Sequence, residues 1–329
     1  MRKASKPTPV LSVPKAWQES FSDEDKAAVA RIIEWLNASG MSQSWLSRLA
    51  VVAPATVSQI LGGKYPTNPA RQLGQIEDAI ELHENRQAAG TVPFVPTTVY
   101  QLAKLAADRA RQYRNFTIFP GDVGVGKTAS LKHYQQKHSQ TILIEADPDM
   151  TAGVFMETLL EALGIPCPPG INRQIRAAIN ALRNTSILIL IDEAETLSDK
   201  ALHVVRRIRD KAGIGMVLTG TQKLERKIKP NGTQFDQLRS RVGLWVRFIK
   251  HASREDIDAI AQAALADQGE LTQDVLDALW HYSQGSVRML VENLIPALRD
   301  YGLPKYDISA ELIDKTAEAA LFMQPRRAA

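Results

Sequence analysis

The sequence predicts an α/β fold: a parallel, five-stranded sheet with a small all-α domain in front and a helical lid behind. Three observations carry this. First, Gly121-Asp122-Val123-Gly124-Val125-Gly126-Lys127-Thr128 fits G-x-x-x-x-G-K-[ST], lying between an apolar run at 115–120 and a helix-like segment from Ala129 to Lys137. Strand, glycine-rich loop, helix is the context in which that pattern cradles phosphate. Second, Ile187-Leu188-Ile189-Leu190-Ile191 runs into Asp192-Glu193. An unbroken run of apolar strand formers reads as a parallel strand covered on both faces. Third, from residue 253 to 323 only helical periodicity remains.

In order, residues 1–20 form a basic, proline-broken arm (Arg2, Lys3, Lys6, Lys15; Pro7, Pro9, Pro14) that reads as a flexible tail. Residues 21–86 read as a helix-turn-helix domain. Ser22-Asp23-Glu24-Asp25 suits a helix start, and Val29, Ile32, Ile33 and Leu36 form its apolar stripe. Two short helices follow, Ser42 to Ala50 and Pro54 to Leu61, the second closed by Gly62-Gly63. The pattern Gln43-x-x-Leu46 … Thr56-Val57-Ser58-x-Ile60-x-x-Gly63-Lys64 resembles the λ-repressor type, with Pro54 to Leu61 as recognition helix. Thr56, Ser58, Gln59 and Lys64, with Tyr65, are its candidate DNA contacts. The segment lacks a basic excess, so a helical protein-docking module is the alternative.

Residues 87–98 read as a linker and 99–250 as the nucleotide-binding core. A helix from Val99 to Tyr113 leads into strands at 116–119, 141–145, 186–193, 214–220 and 244–249, with helices at 152–163, 172–182 and 200–211 between them; Asp147-Pro148-Asp149 turns into the first. Within the loop 121–128, Lys127 reaches for the β- and γ-phosphates and Thr128 for Mg²⁺. Asp192 is the second Mg²⁺-shell group, and Glu193 is placed to deprotonate the attacking water. Paired carboxylates at the end of a buried strand are costly unless such chemistry needs them. Thr221, with Thr219 second, is the candidate for holding that water; a plain strand-ending threonine is the alternative. Arg239 and Arg241 end the segment before the fifth strand, where Arg241 is a candidate trans-acting arginine and contact with DNA phosphate is the other reading. In the lid, 251–329, Gly285-Ser286-Val287-Arg288 opens a helix, and Arg288 is expected to reach back to the phosphates or to pair within its acidic surroundings.

Charge is unevenly spread. Residues 200–250 carry thirteen Lys/Arg and three acids, while 253–323 carry five basic and thirteen acidic residues. A basic strip of this kind suits a polyanion, and Arg206, Arg207, Lys223 and Lys227 are its candidate phosphate contacts. The single cysteine, Cys167, excludes an internal disulfide and a cysteine-cluster metal site. His203 has no partner at metal spacing. No apolar run reaches the ~18 residues of a membrane span, and residues 1–14 lack the apolar region of a secretory signal. A soluble, intracellular protein is expected.

The phosphate loop, the Asp-Glu strand, the Thr strand, the Ser240-Arg241-Val242 corner and the Gly285-x-x-Arg288 helix occur in the order of the AAA+ ATPases. More closely, the whole chain resembles the bacteriophage Mu B transposition protein family. The local matches are 187–197 (ILILIDEAETL), 214–221 (IGMVLTGT) and 238–242 (LRSRV). The resemblance implies an ATP- and Mg²⁺-dependent protein that forms helical filaments or rings on double-stranded DNA, largely without sequence preference. It implies delivery of target DNA to a transposase, with hydrolysis dismantling the assembly. Two positions depart from the family: Thr221 stands where Asn is common, and Pro54-Ala55 opens the recognition helix without side chains that read base edges. A helicase loader or replication initiator, and a nucleotide-controlled transcriptional regulator, are the competing readings.

Overall fold

The computed structural model describes residues 11–88, 92–148, 150–229, 234–324 and 326. Residues 1–10 of the expected arm, 89–91 of the expected linker, and Asp149 of the expected turn lie outside these. The chain divides into two compact units, 1–91 and 92–329.

The first unit is all-α. Its helices are α1 (Asp23–Ser39), α2 (Gln43–Leu49), α3 (Pro54–Leu61) and α4 (Ala70–Ala88). The Ser22 hydroxyl accepts from the Asp25 N–H while the Asp25 carboxylate accepts from the Ser22 N–H, a reciprocal cap that fixes the start of α1. Val29, Ile32, Ile33, Leu36, Leu46, Val57, Ile60 and Leu61 fill one core with Leu73, Ile76 and Ile80 of α4. Helix α4 is absent from the sequence reading and runs past residue 86, so the expected start of the linker falls inside its last turn.

The second unit begins with Val92 and Val95 packed against the lid. Then come α5 (Thr98–Tyr113), β1 (Phe116–Pro120), α6 (Lys127–Lys137), β2 (Thr141–Glu145), α7 (Ala152–Ala162), α8 (Ile171–Leu182), β3 (Leu188–Asp192), α9 (Asp199–Ala212), β4 (Gly215–Gly220), α10 (Gln222–Ile228), α11 (Asp236–Arg239) and β5 (Val242–Trp245). The sheet order is β2-β3-β4-β1-β5, all parallel. Strand side chains alternate between faces. Ile189 and Ile191 join the core with α7, α8 and α9, whereas Leu188 and Leu190 join α5 and α6. Both faces are covered, which is why β3 is apolar without interruption.

Helix α5 packs through Ala103, Ala106, Ala107 and Ala110, all fully buried, and Leu105 is half exposed rather than part of the buried face. Small residues let the helix lie close to β4. A Cβ at Gly215 would collide with the Ala110 carbonyl, so glycine is required there for space.

The lid comprises α12 (Arg254–Ala264), α13 (Gln273–Ser283), a helical stretch through 289–302 and a last helix, Ala310–Leu321. Much of 289–302 winds in wide π-type turns. Pro296 lies within it and removes one backbone donor. Leu290, Leu294, Ile295 and Leu298 pack it onto α12, α13 and the last helix.

Candidate functional site

At the C-terminal ends of the strands, a cavity of about 710 Å³ opens between the phosphate loop, the ends of β3 and β4, α10 and the lid. This is the switch-point position where open parallel sheets hold ligands. Gly124 (φ 82°) and Gly126 (φ 99°) lie in the left-handed region, which side-chain-bearing residues rarely adopt, and Gly126 caps α6. The start of α6 therefore presents unpaired N–H groups and the helix's positive end to the cavity. Lys127 is nearly buried, and its Nζ donates to the carbonyls of Gly121 (2.7 Å) and Asp122 (2.8 Å). Burial pulls its pKa below the ordinary lysine value, while Asp192, Glu195, Asp122 and Glu193 pull the other way. Asp122, Val123, Gly124, Gly126, Lys127 and Thr128 line this cavity. Val125 turns inward and lines a smaller apolar cavity beside it.

That smaller cavity, about 130 Å³, is walled by Val92, Pro93, Phe94, Val95 and Thr97 before α5, by Ala129 and Ser130 of α6, and by Ile260, Val287 and Val291 of the lid. Phe94 stacks flat on His133 (3.6 Å between centroids), with Tyr100 edge-on. A flat apolar slot next to a phosphate cradle suits a nucleotide base.

The acidic pair divides its roles by burial. Asp192 is buried; its Oδ2 accepts from the Thr128 hydroxyl at 2.5 Å, and its Oδ1 accepts from the Thr219 hydroxyl and from the Glu193 N–H at 3.0 Å. Glu193 is exposed to the cavity and holds φ 52°, a left-handed conformation uncommon for a non-glycine residue. Its carbonyl is pinned by the Thr196 N–H (2.9 Å) and hydroxyl (2.8 Å). Strain of this kind persists where the surroundings over-determine it. Thr128 and Asp192 together offer hard oxygen donors of the kind Mg²⁺ takes, alongside phosphate and water. No group of three or more His, Cys, Asp or Glu able to hold a metal occurs among the described residues.

Thr219 of β4 and Thr221, which caps α10 just past that strand, part company. Thr219 is fully buried and bonds Asp192, whereas Thr221 lines the cavity and its hydroxyl accepts from the Lys223 N–H at the start of α10. Arg288 also lines the cavity. Its backbone N–H donates to the Gly124 carbonyl (3.0 Å), and its guanidinium pairs with Glu292 (3.4 Å), the ion pair expected as the alternative. Arg241 is not among the residues that line the cavity; its Nε pairs with Asp210 at 2.7 Å.

Of the basic candidates, Lys223 is exposed at the cavity wall and Arg207 is exposed on α9. Arg206 is half-buried and donates to Gln237. Lys227 is committed internally to the Leu197 carbonyl (2.7 Å) and Asp199 (3.1 Å). In the first unit, Ser58, Gln59 and Lys64 are exposed, Thr56 and Tyr65 half-buried. His203 stacks on Phe235. The sequence reading missed Glu195 and Arg226, both of which line the cavity. Arg226 was findable as the residue one helical turn after Lys223; Glu195 had no local signal.

Comparison with known proteins agrees with this geometry. The family model for the AAA domain matches residues 109–228. The chain is 26% identical over 274 residues to the Mu-like prophage FluMu DNA transposition protein B of Haemophilus influenzae, covering 80% of this chain and 94% of that one. It is 24% identical over 250 residues to the ATP-dependent target DNA activator B of Escherichia phage Mu, covering 74% and 78%. Among solved structures, the Aeropyrum pernix ORC2 protein superposes with a TM-score of 0.53 at 15% identity, covering 71% of each chain, which bears on the fold alone.

Proposed function

We propose that this Mu B-like AAA+ ATPase binds ATP with Mg²⁺, assembles on double-stranded DNA largely without sequence preference, and delivers that DNA to a transposase, hydrolysis ending the assembly. The nucleotide fits the cradle and slot: the loop 121–128 takes the phosphates and the apolar wall from Val92 to Val95 the base. Thr128 and Asp192 would hold Mg²⁺, which supplies charge neutralisation at the phosphates. Glu193 accepts a proton as water oxygen attacks the γ-phosphorus and the bond to the β–γ bridging oxygen breaks. Thr221 and Arg288 border that reaction, and Arg241, outside the lining of its own cavity, serves the cavity of a neighbouring copy in a filament or ring.

One observation carries the link to DNA: α10 is both a wall of the nucleotide cavity and part of the basic strip. Lys223 and Arg226 line the cavity from a helix that begins where β4 ends. A nucleotide that moves this wall moves cations. Lys223 and Arg207 are the foremost phosphate contacts, Arg206 and Lys227 secondary ones, and Thr56, Ser58, Gln59 and Lys64 of the helical head add weak contacts. The domains then divide the work: head (21–86), linker (87–98), ATPase core (99–250) and lid (251–329), with the basic arm (1–20) in front. No described helix is long and apolar enough to cross a membrane, consistent with work in the cytoplasm or nucleoid of a bacterial host.

The test is DNA retention by electrophoretic shift and negative-stain imaging with and without a non-hydrolysable ATP analogue, and strand transfer with the transposase. Glu193→Gln should bind ATP and DNA, lose turnover and freeze assemblies on DNA; Lys127→Ala should lose nucleotide and assemblies together. DNA affinity should fall steeply with salt, with a slope set by the number of phosphates neutralised. Nucleotide-independent or salt-insensitive binding would overturn the reading.

A further inference from the structure

We propose that Glu195 is a positioning residue for hydrolysis, holding the end of β4 and the start of α10 against the Asp192–Glu193 pair. The proposal rests on the pocket being hydrolytic, as argued above. Glu195 follows the acidic pair in the short 3₁₀ turn Ala194–Thr196. That turn is itself anchored, since the Thr196 hydroxyl donates to the Ala146 carbonyl beyond β2 at 3.1 Å. From this base the carboxylate reaches across to the neighbouring strand. Its Oε1 accepts the Thr221 N–H at 2.8 Å. Its Oε2 is buried and has no hydrogen-bond partner.

A buried carboxylate oxygen without a donor is a cost that folds rarely carry without a reason. Here the neighbouring strand is shaped to admit it. A Cβ at Gly220 would run into Glu195 Oε2, and Gly220 is not among the glycines with positive φ. Glycine therefore stands at 220 for space, not for backbone freedom, and the space is filled by Glu195. One oxygen thus accepts the peptide N–H just past β4, and the other is enclosed over Gly220, the last residue of that strand. Glu193, by contrast, presents an exposed carboxylate to the cavity.

The consequence is geometric. The peptide that Glu195 holds lies two residues after Thr219, whose hydroxyl bonds Asp192, and it begins the helix carrying Lys223 and Arg226. The other end of α10 is fastened by Lys227 to Leu197, at the end of the same turn, and to Asp199, at the start of α9. Releasing Glu195 frees one end of α10 and leaves the other tied, so it loosens the catalytic end of β4 without removing the helix. Misplacement of catalytic groups by about 1 Å costs on the order of 10²-fold in rate.

The experiment measures kcat and KM for ATP hydrolysis by the full chain, with the affinity for a fluorescent ATP analogue read alongside. Glu195→Ala should lower kcat by roughly 30-fold or more while KM and analogue affinity stay within about twofold, the mark of a group acting on the transition state and not on binding. Glu195→Gln keeps an oxygen that accepts the Thr221 N–H and should stay within about threefold of the parent, by the same logic. Gly220→Ala displaces the carboxylate sterically and should resemble Glu195→Ala, and the double variant should be no worse than either single, as coupled groups are not additive. A Glu195→Gln variant as inactive as Glu195→Ala overturns the proposal, because the charge would then do chemistry. So does a Glu195→Ala variant with unchanged kcat, or loss of analogue affinity in both. If Glu195→Ala does not fold, the contrast of Gly220→Ala with Glu195→Gln decides. Glu193→Gln run in parallel separates the two claims: full turnover there sinks the hydrolytic reading itself.

Discussion

Replacing Gly124 by alanine tests how the lid closes on the phosphate loop. Gly124 sits at φ 82°, and a Cβ there would lie 2.7 Å from the Ser286 hydroxyl oxygen and 3.2 Å from the Arg288 Cβ. The left-handed backbone costs an alanine about 1–2 kcal/mol. Forcing extra volume into a packed contact costs about 1–3 kcal/mol more. The lid relieves the second cost by withdrawing, which breaks the bond from the Arg288 N–H to the Gly124 carbonyl. Nucleotide must close that lid again, so the contact cost of about 1–3 kcal/mol reappears as a roughly 5-fold to 150-fold loss of affinity, whereas the backbone cost, present with and without nucleotide, falls on stability. The assay is titration with a fluorescent ATP analogue. Ser286→Ala removes the nearest clashing atom, so the double variant should recover much of the contact cost but none of the backbone cost. Ser286→Ala alone should cost little, about 0.5–2 kcal/mol of lid stability, because the hydroxyl also accepts from the Met289 N–H. Affinity within twofold of the parent for Gly124→Ala, or no recovery in the double variant, would refute the lid contact as the source of the effect.

Three further outcomes follow from single residues. Thr219→Val removes a buried donor to Asp192 and should cost about 1–3 kcal/mol in urea unfolding, together with weaker Mg²⁺ dependence of ATPase activity. Burial, and then the hydrogen bond to Asp108, push the Tyr134 phenol up to about 12 from 10.0. A raised folded-state pKa gives stability that is whole below pH 10.0 and lost as the pH climbs through about 12; Tyr134→Phe should flatten that alkaline slope in denaturant melts. Leu46→Ala, fully buried in the head, should destabilise that unit by about 2–5 kcal/mol, seen as faster hydrogen exchange across 23–88 with ATP affinity unchanged.

What the sequence disclosed depended on how local the determinant was. Strand β3 was readable because an uninterrupted apolar run ending in two acids must be covered on both faces and then open onto a polar site. The phosphate loop was readable because its glycines and lysine are consecutive. Helix α4 was overlooked although Leu73, Ile76 and Ile80 carry its spacing, since most of the residues around them are polar. The buried face of α5 rests on four alanines, a weak hydrophobic signal, while the larger Leu105 is half exposed. Glu195 and the choice between Thr219 and Thr221 were out of reach, because they follow from β3 lying beside β4 in register, Ile191 opposite Leu218. The slot next to the loop is assembled from 92–97, 125–130, 260 and 287–291, which nothing in a linear reading joins.

The corner at Arg241 has a consequence for association. Asp210 Oδ1 is shared by Arg209 (3.0 Å) and Arg241 (2.7 Å), and Arg241 also donates to the Gln237 carbonyl. One negative charge for two cations orients both guanidinium groups without cancelling them. An arginine free in water would surrender about 0.5–1.5 kcal/mol of side-chain freedom on meeting an anion. Here that loss is already taken within the folded subunit. Any phosphate or carboxylate that arrives at this corner meets a side chain held in place and still carrying charge to give.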